Sequence, residues 1–238
     1  MFIWIIATIC AFFIKGLCGF ANTLVFTSIL SFGITNINIS PVELILGYPT
    51  NMIVAWKERK SIKWSVCIPL SILVIAGCIP GILFLKNTDT HIIKILFGFI
   101  IILIGCEMLQ REFKEKKQKQ SKLLLLSIGI LSGVLCGLYG IGALLGAYLG
   151  RVTEESGAFK ANICIVFLVE NTVRIVLYSI YGIITVSALK SAALLAPCML
   201  LGLFLGIKSS KRLDEKLVKK LVVVMLIISG VALLINNL

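Results

Sequence analysis

The chain has 238 residues, of which 59% are hydrophobic and 14% are charged, and its mean hydropathy is +1.06. Soluble globular proteins contain about 45–50% apolar and about 25% charged residues, so this composition excludes a soluble domain and indicates a polytopic membrane protein. The formal net charge of +12 could indicate a nucleic-acid partner, but the basic residues lie almost entirely in short loops between apolar segments. Such loops face the cytoplasm. We therefore predict no nucleic-acid partner.

Eight apolar segments follow one another along the chain. In order they comprise residues 2–32, 41–56, 64–85, 92–109, 123–150, 161–181, 186–207 and 221–235. A membrane-spanning helix needs about 20 apolar residues. Six of the segments suit single spans, whereas the first and the fifth are too long for one. The sequence therefore predicts an all-α fold in which residues 1–238 form one membrane domain.

Each of the two long segments contains a glycine-rich string. Residues 16–22 read GLCGFAN, and residues 137–143, 121 positions later, read GLYGIGA. Glycine is costly inside a helix and permits unusual backbone angles, so each string predicts a break in its helix. Broken helices at corresponding positions of two halves are typical of transport sites in membranes.

Further landmarks recur in the same order in both halves and indicate an internal duplication. They are Asn51 and Asn171, and the Gly-xxx-Gly pairs Gly77/Gly81 and Gly202/Gly206. We therefore predict a first repeat at 1–110, a linker at 111–122 and a second repeat at 123–238. The Gly-xxx-Gly pairs predict close helix approach within each half.

The distribution of Lys and Arg predicts how the halves are oriented. If all eight segments crossed the membrane once, the loops on the two sides would carry 11 and 10 basic residues. If the first and fifth segments turn back at their glycines, the division becomes 18 to 3, which the positive-inside rule favours. Each half is then a re-entrant hairpin plus three spans, the halves are inverted repeats, and the basic loops 57–63, 111–122 and 208–220 are cytoplasmic.

The sequence contains none of the motifs that carry common enzymatic chemistry. There is a single histidine, and no Ser/His/Asp set, zinc-protease motif or phosphate-binding loop occurs, so we predict no enzyme and no cofactor. All eight cysteines lie in apolar segments without a Cys-x-x-Cys pair. They are expected to act as small packing residues rather than as disulfides or metal ligands.

The geometry of two re-entrant hairpins predicts a binding site for a small anion. The second arm of each hairpin begins a helix within the membrane, and its first N–H groups carry the positive end of the helix dipole. Two such tips would meet around one substrate. The candidate contacts are Gly19, Ala21, Asn22 and Thr23 at the first tip, Gly140, Gly142 and Ala143 at the second, and Asn51 and Asn171 in the following spans.

Charged residues inside the apolar segments are further candidates, since a basic side chain at mid-membrane costs about 2.5–3.5 kcal/mol on insertion scales. Arg174 either pairs with Glu170 one turn earlier or donates two hydrogen bonds to a sulfonate or carboxylate. Lys15 either faces the substrate or extends to an interface. Glu170 is the carboxylate best placed to carry a coupling proton. Glu43, which follows a Ser-Pro pair, is expected to stabilise the first turn of a helix.

Together, the duplicated Gly-Leu-x-Gly-(Phe/Ile)-(Ala/Gly) string, the asparagine-bearing second span and the Gly-xxx-Gly third span resemble the sulfite exporter TauE/SafE family of prokaryotic membrane permeases. The resemblance covers essentially the whole chain. It implies a secondary transporter, commonly an exporter, of sulfite, organosulfonates such as sulfoacetate, or related small sulfur-containing anions in the cytoplasmic membrane. The expected partners are this anion and the lipid bilayer. The alternatives are a channel-like anion permease and a membrane assembly subunit without transport.

Overall fold

A computed structural model of the protein describes residues 1–30, 36–87, 122–140, 142–153 and 155–214, with isolated helical positions between 95 and 109 and between 217 and 235. Within these residues the secondary structure is helical and contains no strand, as the composition predicts. The helices are α1 (Phe2–Cys18), α2 (Asn22–Leu30), α3 (Asn36–Lys57), α4 (Trp64–Asn87), α5 (Lys122–Tyr139), α6 (Ala143–Val152), α7 (Ser156–Ile180) and α8 (Val186–Ser210), with a 3-10 turn at Arg59–Ser61.

Three of the helices within the described residues are long and apolar enough to cross a membrane, namely Trp64–Leu83 of α4, α7 and α8. They correspond to the predicted spans 64–85, 161–181 and 186–207. α3 covers the predicted span 41–56 but begins earlier, and it carries several polar side chains along its length. Residues 111–121 of the predicted linker lie outside the described residues, as do most positions of the predicted spans 92–109 and 221–235.

The first glycine string breaks the helix and reverses the chain. α1 ends at Cys18, and Gly19 (φ +87°) and Ala21 (φ +70°) take the left-handed conformation before α2 begins. The rings of Trp4 and Phe26 lie 5.8 Å apart, whereas an uninterrupted helix would separate these positions by about 33 Å at 1.5 Å per residue. α2 therefore runs back alongside α1, and the predicted break is confirmed.

The second glycine string breaks its helix at the corresponding place. α5 ends at Tyr139, Gly140 has φ +70°, and Gly142 caps the start of α6. The last residue of α5 lies 121 positions after the last residue of α1, and the same separation holds for the starts of α2 and α6. The spacing of the two glycine strings is thus reproduced in the helix boundaries.

Glycine pairs pack the helices of one half against those of the other. A Cβ on Gly77 would collide with the backbone of α5 at Ile130, and a Cβ on Gly206 would collide with the backbone of α1 at Phe13. The other members of the two pairs make the same kind of contact. The prediction that these pairs act within each half is therefore wrong, because a small-residue pair indicates that a neighbour comes close but not which helix it is.

The polar loops at one end of the bundle contact one another. The backbone N–H of Lys63 donates to Asn162 Oδ1 at 2.7 Å, and Lys160 Nζ donates to Ser210 Oγ. The loop after α3, the start of α7 and the end of α8 therefore lie together. The re-entrant arrangement predicts this proximity, whereas eight single crossings would place residues 57–63 opposite the other two regions.

The cysteines agree with a packing role. All eight are free thiols, and five are buried among the helices, namely Cys18, Cys67, Cys78, Cys136 and Cys164.

We predict that Gly77→Val destabilises the protein by about 1–3 kcal/mol, the usual range for added volume in a close-packed site, because the new side chain meets the backbone of α5. Ala76→Val is the matched control, since Ala76 is exposed on the same helix. Thermal unfolding of the purified protein in detergent measures the difference. Equal melting temperatures for the two variants would contradict the backbone-to-backbone contact.

Single cysteines test the loop arrangement in a background whose accessible native cysteines are replaced by alanine. Lys60→Cys and Lys211→Cys lie at exposed positions at the end where the loops meet, and Thr185→Cys lies just before α8, at the other end of that helix from Lys211. We expect a membrane-impermeant maleimide applied to intact cells to label position 185 and to spare positions 60 and 211 until the membrane is opened. Labelling of positions 60 and 211 from opposite sides would rule out the re-entrant arrangement.

Candidate functional site

The two helix breaks lie against each other in the interior. A Cβ on Gly140 would stand 2.6 Å from Arg174 Nη1 and 3.1 Å from Thr23 Cγ2. On the other side of the contact, the ring of Phe20 leaves room only for glycine at Gly146 of α6, where a Cβ would stand 2.8 Å from Phe20 Cε2. The structure therefore brings together the two tips that the sequence predicts to meet.

Arg174 lies beside this junction and is 1% exposed. Its Nη1 donates to the carbonyl oxygen of Cys136 at 3.0 Å and lies 3.6 Å from Glu170 Oε1. Its Nη2 donates to Glu43 Oε2 at 3.2 Å. The guanidinium carbon is also 5.6 Å from the centre of the Tyr178 ring. The predicted pair with Glu170 therefore forms, and a second carboxylate joins it from α3.

Glu43 contributes that second carboxylate and is 3% exposed. Its Oε1 accepts hydrogen bonds from Asn22 Nδ2 at 2.5 Å and from Thr23 Oγ1 at 2.8 Å. Glu43 is thus the acceptor for both polar side chains at the first tip. A carboxylate in a predicted membrane segment was the signal in the sequence, since such residues are rare there unless they are functional or paired.

The expectation that Glu43 stabilises the first turn of a helix is wrong. α3 begins at Asn36, about two turns earlier, and Pro41 lies inside the helix rather than at its start. Proline is tolerated inside membrane helices, because neighbouring groups satisfy the carbonyl that it leaves unpaired. The Ser-Pro pair is therefore a poor sign of a helix start in this segment.

Lys15 is buried beneath the same region, 1% exposed, and its Nζ donates to the carbonyl oxygen of Gly47 at 3.4 Å. Gly47 borders Glu43, since a Cβ at position 47 would stand 3.1 Å from Glu43 Oε1. Lys15 thus points into the protein and not to an interface. These four residues, Lys15, Arg174, Glu43 and Glu170, form the charged cluster. If all four are ionised, their charges sum to zero.

The two predicted asparagines lie on the helices that carry this cluster. Asn51 follows Glu43 and Gly47 at intervals of four residues on α3, a spacing that shares one helix face. It is 1% exposed, and its Oδ1 has no hydrogen-bond partner among the described residues. Asn171 is 8% exposed on α7, three residues before Arg174.

The remaining predicted residues form the breaks themselves. Gly19 packs on the side chain of Lys160, and its carbonyl oxygen accepts from Cys164 Sγ at 3.4 Å. Ala21 takes the left-handed conformation, Gly142 packs on the ring of Phe167, and Ala143 begins α6. These positions shape the two turns, whereas Asn22 and Thr23 are the predicted residues whose side chains reach the charged cluster.

A sequence model of the sulfite exporter TauE/SafE family matches residues 4–233. The chain belongs to this family. Neither the curated proteins nor the solved structures contain a match. Membership indicates a multi-pass membrane transporter of sulfite-type anions, in agreement with the apolar helices of the fold.

In this TauE/SafE protein the charged cluster and the side chains of the first tip present groups that recognise oxyanions. Guanidinium, amide and hydroxyl donors converge on one carboxylate, and the first turn of α2 adds the positive end of a helix dipole. Sulfite and sulfonates present oxygen acceptors like those of a carboxylate, and charged acceptors form hydrogen bonds about twice as strong as neutral ones. The same donors are therefore suited to hold a small sulfur oxyanion.

We predict that Arg174→Ala destabilises the protein by about 3–5 kcal/mol, because it leaves the carboxylates of Glu43 and Glu170 buried without their partner. Arg174→Lys should restore only part of this loss, since an ammonium lacks the planar fork that serves several acceptors at once. The measurement is thermal unfolding in detergent, with Lys190→Ala, at an exposed position of α8, as control. A melting temperature of Arg174→Ala equal to that of the control would contradict the paired cluster.

Proposed function

We propose that the protein is a secondary transporter, working as an exporter, of sulfite and related small sulfur-containing anions such as organosulfonates. The observation that carries this proposal is the meeting of two helix breaks beside a buried guanidinium in a TauE/SafE chain. Burying this guanidinium together with its two carboxylates costs desolvation energy, and a cation beside two helix starts is suited to an anion that crosses the membrane.

The substrate is proposed to bind between the two tips. The N-terminal N–H groups of α2 and α6 and the side chains of Asn22, Thr23 and Arg174 would supply the donors. The backbone at Gly19, Ala21, Gly140, Gly142 and Ala143 would let the anion approach closely. Lys15, Asn51 and Asn171 would line the adjoining space, and Glu170 is the proposed carrier of a coupling proton.

We infer that the two halves are inverted repeats that give alternating access to this site from the two faces of a prokaryotic cytoplasmic membrane. Three observations support the inference. The helix boundaries at the two breaks are 121 residues apart, each half packs its glycine pair on the broken helix of the other half, and the basic loop at 57–63 lies at the same end as Ser210 in the basic segment 208–220. The basic end is proposed to face the cytoplasm.

Flux measurements distinguish the transporter from the alternatives. Proteoliposomes loaded with sulfite should release radiolabelled sulfite faster when unlabelled sulfite is present outside, because a transporter returns loaded more readily than empty. Flux that ignores the external anion and is accompanied by ionic conductance would indicate a channel-like permease. The absence of sulfite and sulfonate flux with correctly folded protein would indicate a membrane assembly subunit.

Gly140→Ala tests the junction of the tips. The added methyl group would meet Arg174 Nη1 and Thr23 Cγ2, so we expect sulfite efflux to fall at least about tenfold, the equivalent of ~1.4 kcal/mol in the transport barrier. Gly182→Ala is the matched control, because Gly182 also has a positive φ (+69°) but a Cβ there would have nothing within 4 Å of it. Both variants carry similar backbone strain. Equal efflux from the two variants would contradict the proposed site.

A further inference from the structure

The carboxylate of Glu43 receives the hydrogen bonds that an oxyanion substrate would need. Asn22 and Thr23 donate to Oε1, at 2.5 and 2.8 Å, and Arg174 donates to Oε2 at 3.2 Å. These donors come from α2 and α7, whereas the acceptor comes from α3. The position of the Glu43 carboxylate is therefore the position at which donors from two helices bind a negatively charged group.

When all four charged residues are ionised, and no proton has entered with the substrate on Glu170, the charge balance of the cluster disfavours binding a substrate anion in addition to Glu43. The ionised forms of Lys15, Arg174, Glu43 and Glu170 cancel, so an added monoanion would leave one uncompensated negative charge in a buried site. Such a charge is costly. If the carboxylate of Glu43 moves away from Asn22, Thr23 and Arg174 as a monoanion arrives, the charge held by these three donors stays the same and each donor keeps an acceptor.

The helix that carries Glu43 allows such a movement. Pro41 and Pro49 lie inside α3 on either side of Glu43, and each proline removes a backbone hydrogen bond that would otherwise stiffen the helix. Gly47 lies one turn later beside the carboxylate, with no side chain to hold it in place. Around Glu43, α3 therefore has fewer backbone hydrogen bonds than α7 has around Arg174, since α7 contains no proline.

Resting on the proposed anion transport, we propose that Glu43 is an internal competitor of the substrate. In the empty protein its carboxylate fills the anion site formed by Asn22, Thr23 and Arg174, and it gives up these donors when sulfite or a sulfonate binds. Substrate binding and the contacts of Glu43 are then mutually exclusive. Glu43 sets the affinity of the site and holds the two tips together when no anion is present.

Glu43→Gln tests this role, because the amide keeps the size of the side chain and loses its charge. A neutral acceptor competes more weakly for the three donors, so we expect the Kd for sulfite to fall about tenfold in calorimetry on the purified full-length protein. Glu170→Gln is the matched control. It removes the other carboxylate that contacts Arg174 but leaves the hydrogen bonds of Asn22 and Thr23 to Glu43, so its affinity should rise less.

Sulfite binding by Glu43→Gln that is no tighter than binding by Glu170→Gln would overturn the competition. The proposed function would survive that result, because the wild-type protein binds sulfite in the same experiment. If the wild-type protein binds neither sulfite nor sulfoacetate, the proposed function itself is overturned.

If Glu43→Gln does not fold, Glu43→Asp replaces it. The shorter side chain keeps the charge but ends about 1.5 Å, one carbon–carbon bond, from the present position, so it competes less well for Asn22 and Thr23. Tighter sulfite binding by Glu43→Asp supports the proposal, and unchanged or weaker binding overturns it.

Discussion

Burial of the Arg174 guanidinium inside an apolar bundle is the constraint on which the site depends. A charge that is 1% exposed has to be neutralised and hydrogen-bonded by the protein. Its partners come from α3, through Glu43, from α5, through the carbonyl of Cys136, and from α7 itself, through Glu170. Because Glu43 also binds Asn22 and Thr23, α2 is held as well. Arg174 and its partners thus connect α2, α3, α5 and α7 at the place where the two breaks are in contact.

The glycine strings combine two physical roles at a spacing of three residues. Gly16 and Gly137 permit the backbones of α1 and α5 to touch helices of the opposite half, and Gly19 and Gly140 then take the left-handed conformation that ends each helix. The first role fixes the height of each broken helix relative to its neighbour, and the second begins the turn one helical turn later. The level of each tip relative to the helix packed against it is therefore fixed by backbone contact.

The sequence predicts the breaks well and the charged cluster only in part. A helix break is a local property, so glycines at 16, 19, 137 and 140 are sufficient to reveal it. The partners of Arg174 are a tertiary property. Only Glu170 can be inferred, because it lies four residues away on the same helix, whereas Glu43 is 131 positions distant. The same limit explains the glycine pairs, whose contacts cross between the halves although each pair looks self-contained in the sequence.

The packing of glycine pairs between the two sequence halves also determines which parts of the molecule could move as rigid bodies. Backbone-to-backbone contacts join α1 with α8 and α4 with α5, and such interfaces resist sliding because no side chain can adjust within them. In the proposed alternating-access cycle, the moving units would then be these mixed pairs, not the two sequence halves. α3 and α7 lie between them and carry Glu43 and Arg174. Separating α3 from α7 would break that ion pair and leave Arg174 without this partner, unless an anion takes the place of the Glu43 carboxylate. Helix movement and substrate binding would then depend on the same interaction.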